Sequence, residues 1–168
     1  VSIDIEFKQV ADSVRNWKTK PADSENLALY SLYKQAMFGD ASAEPSGLVE
    51  NAKFKAWSNR KGISQDDAKK QYIELAKKLQ SKYQFDKAVA DVRKLKSVPS
   101  DDDLLELYSL FKQATVGDAD PANKPGMLDF KGKAKFEAWS KRKGMSKDDA
   151  QKAYVAKVES LVASIGLQ

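Results

Sequence analysis

Apolar residues in this chain recur at steps of three and four, the spacing that gathers side chains on one side of an α-helix, and strand-like alternation is absent. Val10, Val14 and Trp17 follow Phe7 at such steps, and Pro21 closes the segment. Asp23 stands where it can cap a second helix through Leu27, Leu29, Tyr30, Leu32 and Tyr33, which stops at Gly39. After a loop with Pro45 and Gly47, a short helix holds Phe54 and Trp57 and ends at Gly62. Ser64 followed by Asp67 is a capping signal, and the helix it opens carries Ala68, Tyr72, Leu75, Ala76 and Leu79. Pro99, Asp101, Gly117, Gly144 and Ser146 then punctuate the remainder in the same order.

That repetition is one of sequence as well as of pattern. Leu27 to Asp40, LALYSLYKQAMFGD, returns as Leu105 to Asp118, LELYSLFKQATVGD, and Ala52 to Tyr72 returns as Ala134 to Tyr154. The second copy is four residues longer in the loop between these blocks. The chain therefore reads as two all-α units of four helices each, residues 1–83 and 84–168. The seam should be short and stiff, because Lys82, Tyr83, Gln84, Phe85 and Asp86 pass from one copy to the next without a Gly, Pro or Ser-rich linker. Leu75, Leu79 and Tyr83 keep four-residue steps and Phe85 arrives two later, so the helix is expected to kink or break near Lys82 to Phe85.

Composition narrows the chemistry. With no cysteine and no histidine in 168 residues, a disulfide framework, a thiolate nucleophile, a Ser-His-Asp triad and a zinc site of the usual ligands are all outside this chain's means. The net charge of +5, from 29 basic and 24 acidic residues, favours anionic partners, but acidic residues interrupt each basic cluster, so nucleic acid is not expected. No apolar run spans a membrane, and Asp4, Glu6 and Asp12 keep the opening residues from reading as a secretory signal.

The most informative segment is the second helix, where Tyr30, Tyr33 and Lys34 fall at i, i+3 and i+4 and are expected on one face. Two phenols beside an ammonium suit a planar base and a phosphate, and the second copy offers Tyr108, Phe111 and Lys112. The alternative is that the rings belong to the core and the lysine to a solvated face. Lys34 lies in a Lys-Gln-Ala run that both copies share while neighbours differ, which favours a role for it. Lys53 and Lys135 open the Lys-Phe-x-Ala-Trp segments, and a second cation brought near the first would call for an anion. Trp57 reads as core, Arg60-Lys61 as surface decoration, and Asp101 to Asp103 as residues answering a helix macrodipole. Nothing in the spacing pairs groups for catalysis or gathers metal ligands.

Taken together, these segments resemble the acyl-CoA-binding protein family, small four-helix carriers of long-chain acyl-coenzyme A. The resemblance covers nearly the whole chain twice and is carried by YSLYKQAMFGD with AKFKAW, and by YSLFKQATVGD with KPGMLDFKGKAKFEAW. It implies a non-catalytic protein that binds, sequesters and transports long-chain acyl-CoA, one per unit, with no cofactor. It further implies a cytoplasmic monomer whose contact with membranes or acyl-CoA-using enzymes is at most transient. Carried over residue by residue, the adenine and 3′-phosphate fall to Tyr30, Tyr33, Lys34, Lys53 and Tyr72 in the first copy, and to Tyr108, Phe111, Lys112, Lys135 and Tyr154 in the second. Arg15 and Arg93 take the basic position of the first helix. Phe111 departs from the family's tyrosine. Lys131 and Lys133, in the loop before the second copy's third helix, add charge near the CoA phosphates, and the first copy has Glu50 and no such lysines. The first copy is therefore expected to bind more weakly. Two other classes stay open on the sequence: a helical protein-interaction module, and an accessory domain of a CoA-using enzyme.

Overall fold

The computed structural model describes residues 2–42 and 48–168. Helices account for most of the described residues: α1 (Ile3–Arg15), α2 (Asp23–Phe38), α3 (Leu48–Ser58), α4 (Gln65–Val92), α5 (Asp101–Thr115), α6 (Phe130–Ser140) and α7 (Lys147–Ile165), with a short 3-10 turn at Pro121–Asn123. The architecture is all-α. The loop residues Pro45 and Gly47 lie outside the described residues. The chain divides into two compact units, Val1–Gln80 and Ser81–Gln168.

Of the kink or interruption expected at Lys82 to Phe85, the interruption does not occur, and four helices per copy becomes seven in all among the described residues. Helix α4 runs unbroken for 28 residues, so one helix closes the first unit and opens the second. The shift in apolar register is real, because α4 buries Ala68, Tyr72, Ile73, Ala76 and Leu79 and then, after a gap, Phe85 and Ala88. A backbone hydrogen-bond ladder is indifferent to which side chains are buried, and only a breaker or a cap ends it. No Gly or Pro stands between Ser64 and the end of α4 at Val92, a stretch rich in Lys and Ala, so nothing forces a break at the seam.

Helix ends follow their caps with two corrections. Ser64 and Ser146 accept hydrogen bonds from Asp67 N–H and Asp149 N–H at 3.0 Å, as the capping signals require. Asp23 and Asp101, however, are the first helical residues and not the caps. Ser100 caps α5 by accepting from Asp103 N–H at 3.2 Å, while α2 begins after Ala22, whose N–H donates to the Glu25 carboxylate at 2.9 Å. Trp17 lies just past the end of α1 and is half-buried.

Each unit has its own core. In the first, Phe7, Ala11, Leu29, Leu32, Ala36, Ala68, Tyr72, Ile73, Ala76 and Leu79 are buried. Phe85, Ala88, Leu95, Leu107, Leu110, Ala114, Ala150, Tyr154, Val158 and Leu161 form one cluster in the second. Leu32 and Leu110 are each 2% exposed, and burial of such a side chain stabilises by about 2 kcal/mol.

Polar ties built the same way twice fix where α2 and α5 stand. Gln35 Nε2 donates to Asp40 Oδ1 and to the Ile63 carbonyl, both at 2.8 Å, and Gly62 N–H donates to Asp40 at 3.0 Å. Gln113, Asp118, Met145 and Gly144 repeat the arrangement at the same distances. Gly62 and Gly144 sit at φ +92° and +89°, a conformation costly for any side-chain-bearing residue, and it is there that their N–H groups reach the carboxylates. Trp57 Nε1 donates to the Gly39 carbonyl and Trp139 Nε1 to that of Gly117, each at 2.8 Å. Arg60 is not surface decoration: its Nε donates to Ser31 Oγ at 3.0 Å, as Arg142 does to Ser109 at 3.1 Å.

Candidate functional site

The shared Lys-Gln-Ala run has a dual explanation. Gln35 and Ala36 are buried, as are Gln113 and Ala114, and packing accounts for their identity. Lys34 and Lys112 are half-buried, and their surroundings differ in kind from those of their neighbours.

In the first unit Lys34 Nζ stands 5.7 Å from the Tyr30 ring centre, 4.8 Å from that of Phe38 and 5.7 Å from that of Trp57. Lys53 Nζ, from α3, lies 5.2 Å from the Tyr30 ring. The four-residue step from Tyr30 to Lys34 stacks the two along α2, and the packing of α3 on α2 brings Lys53 to the same phenol. Two ammonium groups thus flank one ring, and neither takes part in an ion pair among the described residues. Ring faces offer a cation partial compensation of about 0.5 to 2 kcal/mol, which leaves the full charge available to an anion.

Tyr33 looks the other way. Tyr30, Tyr33 and Lys34 do not share one face, because Tyr33 stacks on Phe7 at 5.7 Å and lies 6.2 Å from Tyr72, with Phe7 and Tyr72 edge to face at 5.2 Å. One step along a helix turns a side chain by about 100°, enough to send Tyr33 toward α1 and α4 while Lys34 faces α3. Tyr72 is 5% exposed, and burial pushes its phenol up to about 12, opposed by the Arg15 guanidinium and reinforced by Tyr33. Arg15 is exposed and pairs loosely with Asp12 at 3.7 Å. With Phe7, Tyr33 and Lys69, Arg15 lines a cleft of about 400 Å³. The first unit's predicted residues therefore form two groups, Tyr30, Lys34 and Lys53 on the α3 side of α2, and Arg15, Tyr33 and Tyr72 on the side of α1 and α4.

The second unit repeats the division. Lys112 Nζ stands 5.1 Å from the Trp139 ring and Lys135 Nζ 5.3 Å from that of Tyr108. On the other side Phe111 stacks on Phe85 at 6.1 Å and lies 6.0 Å from Tyr154, so the phenylalanine keeps the ring contacts without the hydroxyl. Burial raises the Tyr154 phenol, and the Arg93 guanidinium opposes the shift. A groove of about 500 Å³ is lined by Leu104, Leu105, Tyr108, Lys131, Ala134 and Lys135, with Asp101 at its edge.

Lys131 and Lys133 are not loop residues. Helix α6 begins at Phe130, capped by the Asp129 carboxylate, which accepts from Gly132 N–H at 2.9 Å. Lys131 and Lys135 are one helical turn apart and line the groove together, whereas Lys133 does not line it. In the first copy α3 begins at Leu48, which places Glu50 in a helix; the preceding part of that loop lies outside the described residues.

Sequence reasoning missed eight participants. Phe7 and Phe85 complete the aromatic groups, Trp57 and Trp139 face the lysines of α2 and α5, Phe38 adds a ring in the first unit, and Leu104, Leu105 and Ala134 wall the groove. Identity between the copies at Phe7/Phe85 and Trp57/Trp139 was the available signal. Phe38 and Leu104 differ between copies and gave none.

A family model described as acyl CoA binding protein matches residues 4–76 and again 82–158. The acyl-CoA-binding protein homolog of Manduca sexta is 74% identical over 85 residues, 51% of this chain and 94% of that protein. Acyl-CoA-binding protein homolog 1 of Caenorhabditis elegans is 62% identical over 82 residues, 49% of this chain and 94% of its own length. Among solved structures, the crystal structure of Oryza sativa acyl-CoA-binding protein 2 is similar over 50% of this chain and 92% of its own, at 33% identity and a TM-score of 0.47. The solution structure of the yeast acyl coenzyme A binding protein covers 49% of this chain and 94% of its own, at 48% identity and a TM-score of 0.42.

Proposed function

The chain belongs to the acyl-CoA-binding protein family, in two tandem copies that together take in most of its length, and on that premise we propose that each copy holds one long-chain acyl-CoA through the side chains assembled above. Binding and carriage of acyl-CoA is the function. The observation that supports the assignment most directly is the pair of lysines gathered on aromatic rings at the same place in both units, Lys34 with Lys53 and Lys112 with Lys135.

The chemistry of such a ligand divides between its ends. Ammonium groups meet the phosphates, and the Tyr33 or Phe111 ring offers a planar surface to adenine beside Tyr72 or Tyr154. In the second unit the groove walled by Leu104, Leu105 and Ala134 receives the first part of the acyl chain. At about 0.8 kcal/mol per buried methylene the tail offers roughly 10 kcal/mol gross, against which the cost of ordering it must be set. The tail supplies affinity, and the charged end supplies discrimination between a CoA ester and a free fatty acid.

We propose further that the chain acts by binding, without chemistry of its own, as a monomer and in the cytoplasm. Calorimetric titration with palmitoyl-CoA, free CoA and palmitate tests it. Two palmitoyl-CoA per chain are expected, with much weaker heats from either fragment alone. Saturation at one ligand would remove the claim of two working sites, and no heat at all would remove the assignment.

A further inference from the structure

One wall position of the second unit's groove carries a different chemistry in the first. Leu104 stands on α5 four residues before Tyr108, and both side chains line that groove. Asn26 holds the same place on α2, four residues before Tyr30, the ring that Lys34 and Lys53 flank. A step of four sets Asn26 and Tyr30 one above the other on the helix, as it does Leu104 and Tyr108. Around this position the first copy keeps Leu27 and Ala52 for Leu105 and Ala134, and Asp23 for Asp101 at the edge; the other change is Val49 for Lys131. The carboxamide of Asn26 is anchored at one end and open at the other. Its Nδ2 donates to the Pro21 carbonyl at 3.2 Å, while its Oδ1 has no hydrogen-bond partner among the described residues. The Nδ2 end thus serves the turn before α2, and the oxygen, an acceptor with two lone pairs, serves nothing in the fold.

We infer that Asn26 makes the first site selective for acyl-CoA esters that carry a hydroxyl on the chain close to the thioester, and that Leu104 suits the second site to unsubstituted chains. The inference rests on the carrier reading above, in which this wall meets the first part of the acyl chain. Methylenes laid over Asn26 strip water from its Oδ1 and give nothing back, whereas a hydroxyl there donates to it. Over Leu104 the balance reverses: methylenes bury apolar surface, and a hydroxyl loses its water without gaining a partner. Asp23 and Asp101 are common to both sites and cancel in the comparison. Lys131 is particular to the second site, where the same reading engages it with phosphate. The Tyr33 hydroxyl is particular to the first, but its ring packs with Phe7 and Tyr72 on the side of α1 and α4, away from this wall.

Calorimetry of full-length variants with palmitoyl-CoA and 3-hydroxypalmitoyl-CoA tests the inference. Lys112→Ala with Lys135→Ala leaves the first site, and Lys34→Ala with Lys53→Ala leaves the second. The quantity read is the palmitoyl dissociation constant divided by the 3-hydroxypalmitoyl one, a ratio in which effects common to both ligands cancel. It should be about fivefold higher at the first site, the worth of one hydrogen bond. Adding Asn26→Leu should bring the first site's ratio down to that of the second, and adding Leu104→Asn should raise the second's. Both positions are exposed, so neither exchange disturbs a core. Equal ratios at the two sites, or a first-site ratio indifferent to Asn26→Leu, would overturn the inference and leave the carrier reading standing. No heat from palmitoyl-CoA with the parent chain would bring down both.

Discussion

Lys34 and Lys112 stand at equivalent positions in different company, the first over three rings and the second, among the described residues, over Trp139. Neither contributes an ion pair that the fold needs among the described residues, so truncation should cost binding and leave folding intact. In the full chain with the first site disabled by Lys34→Ala and Lys53→Ala, adding Lys112→Ala should weaken palmitoyl-CoA binding by about 2 kcal/mol, roughly thirtyfold, the value of a charge-assisted hydrogen bond. Calorimetry reads this, and unchanged affinity would return Lys112 to the solvated surface. Tyr72 gives a prediction about stability. Its phenol is pushed from 10.0 up to about 12 mainly by burial, so the folded state keeps a proton that the unfolded state releases first. The stabilisation is complete below pH 10 and is lost as pH rises from 10 towards 12, in all about 2 to 3 kcal/mol. Urea midpoints followed through that window should fall more steeply for the parent than for Tyr72→Phe. Parallel curves would show that the phenol titrates alike in both states.

Elements were legible from the sequence where a residue writes their ends. Ser64 and Ser146 announced α4 and α7, and the glycines at 39, 62, 117 and 144 marked the turns. At the seam the sequence writes no end, and a change of apolar register was mistaken for one. Amide hydrogen exchange separates the two readings: with α4 continuous, the N–H groups of Ser81 to Asp86 donate within the helix and should exchange more slowly than those of the Pro99 loop, whereas a break would leave several of them as fast. The polar ties were hidden for a related reason. Periodicity shows which positions are apolar, and a buried Gln bonded across 28 residues or a half-buried Arg bonded across 29 leaves no periodic trace. Gln113 joins α5 to the turn before α7, and Gln113→Ala should destabilise the second unit by about 2 kcal/mol, measured by urea unfolding, because the Met145 carbonyl and Asp118 each lose a donor. Asp118 is held below the ordinary aspartate value of 3.8 by the Gly144 N–H and the Gln113 amide. Its contribution is present above that value and lost as pH falls through the lowered one, so the acid limb of the unfolding profile should flatten in Asp118→Asn.

At the scale of the whole molecule the two units share a core plan and differ on their surfaces. The first ties α1 to α4 through Lys69 with Asp4 at 2.6 Å and Lys77 with Glu6 at 2.8 Å, and the second ties α5 to α7 through Lys157 with Asp103 at 2.7 Å and Glu106 at 3.1 Å. Partly exposed pairs of this kind are worth little, and the sites differ by more. Sequence reading set two lysines, Lys131 and Lys133, and Glu50 against the first copy. The structure keeps Lys131 in the groove, leaves Lys133 out of its lining, and adds a wall residue, Leu104, where the first copy has Asn26 bonded to the Pro21 carbonyl. Val49 and Asn26 in place of Lys131 and Leu104 forfeit one screened charge and part of an apolar wall, about 1 to 2 kcal/mol together. The Tyr33 hydroxyl, absent from Phe111, returns about one hydrogen bond to the first copy. The net is about 0.5 kcal/mol in favour of the second site, roughly twofold in affinity. Only the lysine part of that difference is electrostatic, so salt should narrow the gap without closing it. Full-length variants isolate each site: Lys34→Ala with Lys53→Ala leaves the second, and Lys112→Ala with Lys135→Ala leaves the first. Calorimetry of both at low and high ionic strength decides the order. Tighter binding by the first site would reverse the assignment of the groove wall, and a gap that ignores salt would show that Lys131 meets no phosphate.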